Sequence, residues 1–237
     1  MNKLIQIALS LVTVLAIPAL RAGDVIVPAK APLQEAASEA TGYVFAYGGL
    51  SLGLSTNSFV TAPVTAPISG NAPVEQDLDD GLIGGFGIGF YSDLFGGSRF
   101  EMEALLSSAD YSSLTAEEVK LPILGDMKTQ GIFLNVLKEF PLGNAMAYAG
   151  GGLGISTVES SFLAATEEGP PPTNSQGTVV AYQLKAGIDI PVSDRVAIFG
   201  EYKLIGLSDR SGTFGQFPQE TDGFVSNHFV VGGRLSF

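Results

Sequence analysis

The chain has 237 residues, 24 acidic against 12 basic, a formal net charge of −12 and no cysteine. The acidic balance argues against nucleic acid as a partner, and the lack of cysteine excludes disulfides, thiol chemistry and cysteine-based metal sites. Past the first 22 residues no apolar run approaches the roughly 18 residues that a spanning helix needs.

The N-terminus reads as a secretory signal peptide over residues 1–22. Lys3 gives the positive start, Leu4 to Ile17 the apolar core, and Leu20-Arg21-Ala22 the cleavage region. Its removal takes away Lys3 and Arg21, leaving 10 basic against 24 acidic residues, a net charge of −14. Residues 23–41 mix Pro, Ala and charge without a sustained period and are expected to form a periplasmic tail. Residues 42–237 are expected to form one domain.

That domain reads as eight strands, each with the period-2 alternation of a half-buried sheet. The first is Tyr43 to Ser55, with Val44, Ala46, Gly48 and Leu50 on its apolar face. The second, Gly81 to Tyr91, sets Phe86, Ile88 and Phe90 against Gly85, Gly87 and Gly89. The third, Arg99 to Tyr111, sets Met102, Ala104 and Leu106 against Glu101 and Glu103. A turn centred on Phe95 would pair Gly89 with Glu101 and Gly87 with Glu103, small residues leaving lumen space for the carboxylates. Strand four, near Lys128 to Phe140, has Ile132, Leu134 and Val136 outward and Asn135 inward, and Pro141 to Asn144 is a tight reversal.

Strand five runs from Ala145 to Thr157 through the dense glycine patch Gly150 to Gly154. Strand six, Thr178 to Pro191, sets Tyr182, Leu184, Ile188 and Ile190 against Gln183, Lys185 and Asp189. Strand seven, Arg195 to Ser208, sets Ile198, Tyr202 and Leu204 against Glu201 and Lys203. Pairing Pro191 with Arg195 would bring Lys185 opposite Glu201. The last strand, His228 to Phe237, has Phe229, Val231, Leu235 and Phe237 on one face and His228, Val230 and Arg234 on the other. Connections near 56–80, 112–126, 158–177 and 209–222 are long and polar, and those near 92–98, 141–144 and 192–194 are short. This alternation, with an even strand count, is the pattern of a transmembrane barrel with short periplasmic turns and long extracellular loops.

The segments Gly131 to Ser156 and Ala181 to Leu204, together with the terminal Phe237, resemble hairpins and the closing strand of small eight-stranded outer-membrane proteins. These are the outer-membrane protein A-like transmembrane domain and its porin-opacity-type relatives, and the resemblance covers roughly Tyr43 to Phe237. It implies an all-β, up-and-down antiparallel barrel in the bacterial outer membrane. It also implies contact with outer-membrane lipid and lipopolysaccharide, and Phe237 as an assembly signal read by the barrel assembly machinery. Two departures stand out: there is no Trp for the interfacial girdle, which leaves Tyr and Phe to fill it, and no peptidoglycan-binding domain follows.

Among the chemical signals, Gly85, Gly87 and Gly89 alternate with apolar residues and open no helix, so they do not make a dinucleotide fingerprint. Ser226 and His228 share a strand face at the expected outer end of the last strand, where they would suit a lipid-modifying enzyme if Glu201 or Glu220 completed the set. Asp77 to Gly81 lacks the spacing of a calcium loop. The inward Glu101, Glu103, Lys185, Asp189, Glu201, Lys203 and Arg234 form a charge-neutralising lumen network, since charges out of water must be matched or hydrated. The expectation is therefore a non-enzymatic barrel without cofactor or metal, its lumen filled by side chains, with a structural or surface-interaction role and an extracellular partner that the sequence does not name. Three alternatives stand beside it: a narrow ion-conducting pore, a lipid-modifying enzyme, and a soluble barrel with its apolar faces turned inward.

Overall fold

The computed structural model describes residues 42–53, 55–62, 70–92, 97–116, 119–164, 173–214 and 217–237. The expected signal peptide and periplasmic tail lie outside the described residues. Twelve strands follow one another: β1 (Gly42–Leu52), β2 (Ser55–Ala62), β3 (Gly70–Leu78), β4 (Gly81–Ser92), β5 (Ser98–Ala116), β6 (Val119–Leu142), β7 (Ala145–Ala164), β8 (Thr173–Pro191), β9 (Val196–Leu207), β10 (Arg210–Phe214), β11 (Phe217–Thr221) and β12 (Phe224–Ser236).

Eight of them close a ring by antiparallel pairing in the order β1–β4–β5–β6–β7–β8–β9–β12 and back to β1. Closure leaves no sheet edge along the wall, the condition for satisfying every backbone group in lipid. The apolar faces point out: Leu82, Phe86, Leu134, Leu153, Val180 and Val231 are each more than 60% exposed. Residues of the opposite phase, Glu103, Asn135, Gln183, Lys203 and His228, are buried in the interior. That orientation excludes the soluble alternative, in which the same alternation would put the apolar face inside.

The long connections are not irregular throughout. β5 and β6 stay paired as far as Ala116 with Val119, and β7 and β8 as far as Phe162 with Thr173. β2 and β3 form a hairpin that joins β5 on one side and β11 on the other. Beyond the apolar belt the alternation that marks a strand in sequence disappears, yet the backbone still needs partners and neighbouring strands supply them.

The register agrees with one expected pairing and corrects another. Gly89 faces Glu101 and Gly87 faces Glu103. Lys185, however, faces Lys203, and Glu201 faces Gly187. Five residues separate the paired Pro191 and Ala197, because the Val192 and Ser193 N–H groups both donate to the Val196 carbonyl at 2.9 and 3.1 Å, while Val196 N–H donates to Ser193 Oγ at 3.2 Å. At the other tight reversal Leu142 pairs with Ala145, and Gly143 takes φ +61, a left-handed conformation that glycine adopts without penalty.

Candidate functional site

The alternation that sends leucines into the lipid direction sends four cations and four carboxylates into the lumen. Arg99, Lys185, Lys203 and Arg234, with Glu101, Glu103, Asp189 and Glu201, are all at most 5% exposed, so the buried set has no net charge. Glu139, at the end near the chain termini, is partly exposed and lies 3.3 Å from Arg99 Nε.

The charges interlock in two layers. Nearest the termini, Arg99 Nη1 donates to Asp189 Oδ2 at 2.8 Å, Arg234 donates to the same oxygen, and Arg234 Nη2 lies 3.7 Å from Glu101. Above them Lys185 Nζ lies 2.7 Å from Glu101, 3.1 Å from Glu103 and 3.4 Å from Glu201. Lys203 donates to Glu103 and lies 3.0 Å from Glu201. Neutral donors complete the shell of Glu103: Asn135 Nδ2 at 3.1 Å, Gln183 Nε2 at 3.0 Å and the Tyr47 hydroxyl. Tyr43 donates to Glu101 at 2.7 Å. Carboxylates held by two or more charge-assisted bonds in a dry interior resist separation, because removing one partner strands a charge.

All seven sequence-derived lumen residues thus lie in one connected cluster. Arg99 and Glu139 were absent from that set, although Arg99 is in phase with Glu101 and Glu103 on β5. The tyrosines divide between the two faces, with Tyr182 outward as expected. Tyr43, Tyr47 and Tyr148 are buried in the lumen rather than placed in an outer girdle, where their rings lie under cations: Lys203 at 4.2 Å from the Tyr47 centroid, Arg99 at 4.2 Å from Tyr148 and Arg234 at 4.6 Å from Tyr43.

Those rings also explain the glycines. A β-carbon on Gly85 would strike Tyr47, one on Gly87 would strike Phe45, and one on Gly89 would strike Tyr43. The space opened by β4 is therefore taken by the β1 aromatics Tyr43, Phe45 and Tyr47, and the hydroxyls of the two tyrosines reach Glu101 and Glu103.

Toward the long-loop end the lumen turns apolar. Ile83, Leu105, Met127, Val158, Val179, Ile205 and Leu207 are buried there, closing over the ionic layers. Between the two regions sit Ser226 and His228. Because β12 starts at Phe224, His228 lies inside the wall rather than at its outer end. Ser226 Oγ is 2.8 Å from His228 Nε2 and donates to the Ile205 carbonyl at 3.3 Å. Among the described residues no carboxylate is bonded to the imidazole: Glu201 is engaged by Lys185 and Lys203, and the side chain of Glu220 lies outside the described residues. The adjoining cavity is about 20 Å³, room for one water and far too small for an acyl chain.

In the acidic stretch at the end of β3, Asp77 and Asp80 are committed to local bonds. Asp77 Oδ2 accepts from Ser113 Oγ at 2.8 Å, and Asp80 Oδ1 accepts from the Gly53 N–H at 2.7 Å. No group of three or more metal-ligating side chains occurs among the described residues.

No family model and no curated protein matches the sequence. Among solved structures, the outer membrane protein OprG from Pseudomonas aeruginosa aligns over 84% of this chain and 96% of its own, at 10% identity and a TM-score of 0.52. Neisserial surface protein A aligns over 83% and 97%, at 14% identity and a TM-score of 0.46. A major outer membrane protein from Thermus thermophilus aligns over 84% and 100%, at 10% identity and a TM-score of 0.47. With its closed eight-stranded wall, apolar outside and charged within, the chain has the fold of the small outer-membrane β-barrels.

Proposed function

We propose that this chain is an integral protein of a bacterial outer membrane, exported by its signal peptide, and that it acts through its long loops as a structural or adhesin-like surface protein without catalysing a reaction or conducting solutes. The observation that carries this reading is the pairing of an outward apolar belt with a lumen filled twice over, by interlocked ion pairs and then by apolar side chains. A barrel so filled has its changeable surface only at the ends. Lipid and lipopolysaccharide are its surroundings, and the assembly machinery reads the strand that ends in Phe237. Among the described residues the Ser226–His228 pair has no orienting acid, and its cavity has no room for a lipid substrate.

Fractionation of the native cell envelope tests the location. The protein should resist alkaline extraction and run as a compact band on gels until heated. Release by alkali, or recovery in the soluble periplasmic fraction, would contradict the proposal.

A further inference from the structure

The chamber at the boundary between ionic and apolar layers has a chemistry the structural reading does not use. It is lined by the side chains of Ser51, Ser107, Thr129, Ser226 and His228 beneath apolar Leu105, Met127, Ile205 and Leu207, with no carboxylate among the described residues that line it. Ser51, Thr129, Ser226 and His228 are each at least nine-tenths buried. His228 Nδ1 is buried and has no hydrogen-bond partner among the described residues. Lys203 stands directly across the β9–β12 ladder from His228.

We propose that this chamber binds one monatomic anion of the halide class, taken up together with a proton on His228. The argument is one of charge balance. A protonated imidazole would add a second cation beside Lys203 in a lumen whose buried charges already cancel. The acids of the layer below cannot answer it, because Glu103 and Glu201 are held by Lys203 and Lys185. β1 contributes Ser51 and, one layer down, Tyr47, whose hydroxyl is committed to Glu103. β5 contributes Leu105 and Ser107, and β6 contributes Met127 and Thr129, all uncharged. A buried charge without a counter-ion is strongly disfavoured. Hydroxyls are donors that can turn toward an anion, and the protonated imidazole adds a further N–H. Proton and halide therefore enter as a neutral pair, and neither is favoured alone.

The test uses the full refolded protein. Crystals soaked in bromide at pH 5 and pH 8 should show an anomalous peak in the chamber at the lower pH only. In detergent solution, the imidazole nitrogen resonances of His228 should titrate with a midpoint that rises by up to about one pH unit for each tenfold increase in chloride, with gluconate as the inert control. Thr129→Val, similar in shape and lacking the hydroxyl, should stay heat-modifiable on gels while weakening this chloride dependence at least tenfold. A bromide peak equal at both pH values with a salt-independent midpoint would mean an adventitious ion only and would overturn the proposal. A chamber holding water alone at pH 5 in saturating bromide would overturn it as well.

Discussion

Phe237 ends the chain against Gly42. Its N–H donates to the Gly42 carbonyl at 2.9 Å, the Gly42 N–H donates back to Phe237 O at 3.3 Å, and its ring lies over Gly42 where a β-carbon would come within 2.8 Å of it. The first described residue and the last thus form the final rung of the β1–β12 seam. Gly42→Val should displace the terminal ring and lower the yield of the compact, heat-modifiable form on refolding, while Gly48→Val, whose β-carbon would meet only the Ile83 carbonyl oxygen at 4.0 Å, should leave the yield unchanged.

The ionic layers make a sharper energetic demand. Glu103 receives Lys185, Lys203, Asn135, Gln183 and Tyr47. Lys203→Met alone should destabilise the barrel by about 3–5 kcal/mol, because it removes one partner of a buried pair. Adding Glu103→Gln should recover part of that loss, since the double change strands less charge. Urea unfolding in lipid vesicles measures both, and strict additivity of the two substitutions would contradict the interlocked arrangement.

On β4, the glycines and the β1 rings are complementary shapes. Gly89→Ala places a methyl group against the Tyr43 ring and should cost about 1–3 kcal/mol through overpacking. Pairing it with Tyr43→Leu should relieve the clash at the expense of the bond to Glu101. An unfolding midpoint for Gly89→Ala equal to that of the parent protein would show that the lumen has space to spare.

The outer face offers a direct contrast between lipid and water. Leu153 is 69% exposed, which on a soluble surface would make arginine harmless. Facing lipid, Leu153→Arg should cost about 2–4 kcal/mol near the bilayer midplane, measured by unfolding from vesicles. Asn144→Arg, in the tight reversal outside the apolar belt, should cost little. Equal tolerance at the two positions would argue against a lipid-facing wall.

How much of this was legible in the sequence depends on what each residue must satisfy. Leu134 beside Asn135, and Leu184 beside Lys185, declare their faces through alternation alone, so the eight wall strands and the inward charges could be read directly. The Lys185–Lys203 register could not, because it depends on how many residues the turn after Pro191 consumes, and that was set by Ser193 and Val196 bonding across it. For Tyr43, Phe45 and Tyr47 alternation gives the inward face but not what the rings do there. That they fill the space left by Gly85, Gly87 and Gly89 depends on the β1–β4 register, which a single strand's pattern does not carry. The depth of His228 was obscured by Phe224 to Asn227, whose mixed polarity concealed the start of β12, and the paired extensions beyond the belt by backbone bonding that leaves no mark on side-chain pattern.

The measurement that tests the central claim most directly is single-channel recording of the refolded protein in planar bilayers, with heat-shift gels showing that the inserted material is folded. A lumen closed by Glu101, Glu103, Lys185 and Lys203 below and by Leu105, Met127 and Ile205 above should give no conductance steps. Reproducible steps from folded protein, altered in size when Glu101 or Arg234 is neutralised, would make the lumen a pore and contradict the filled-barrel account.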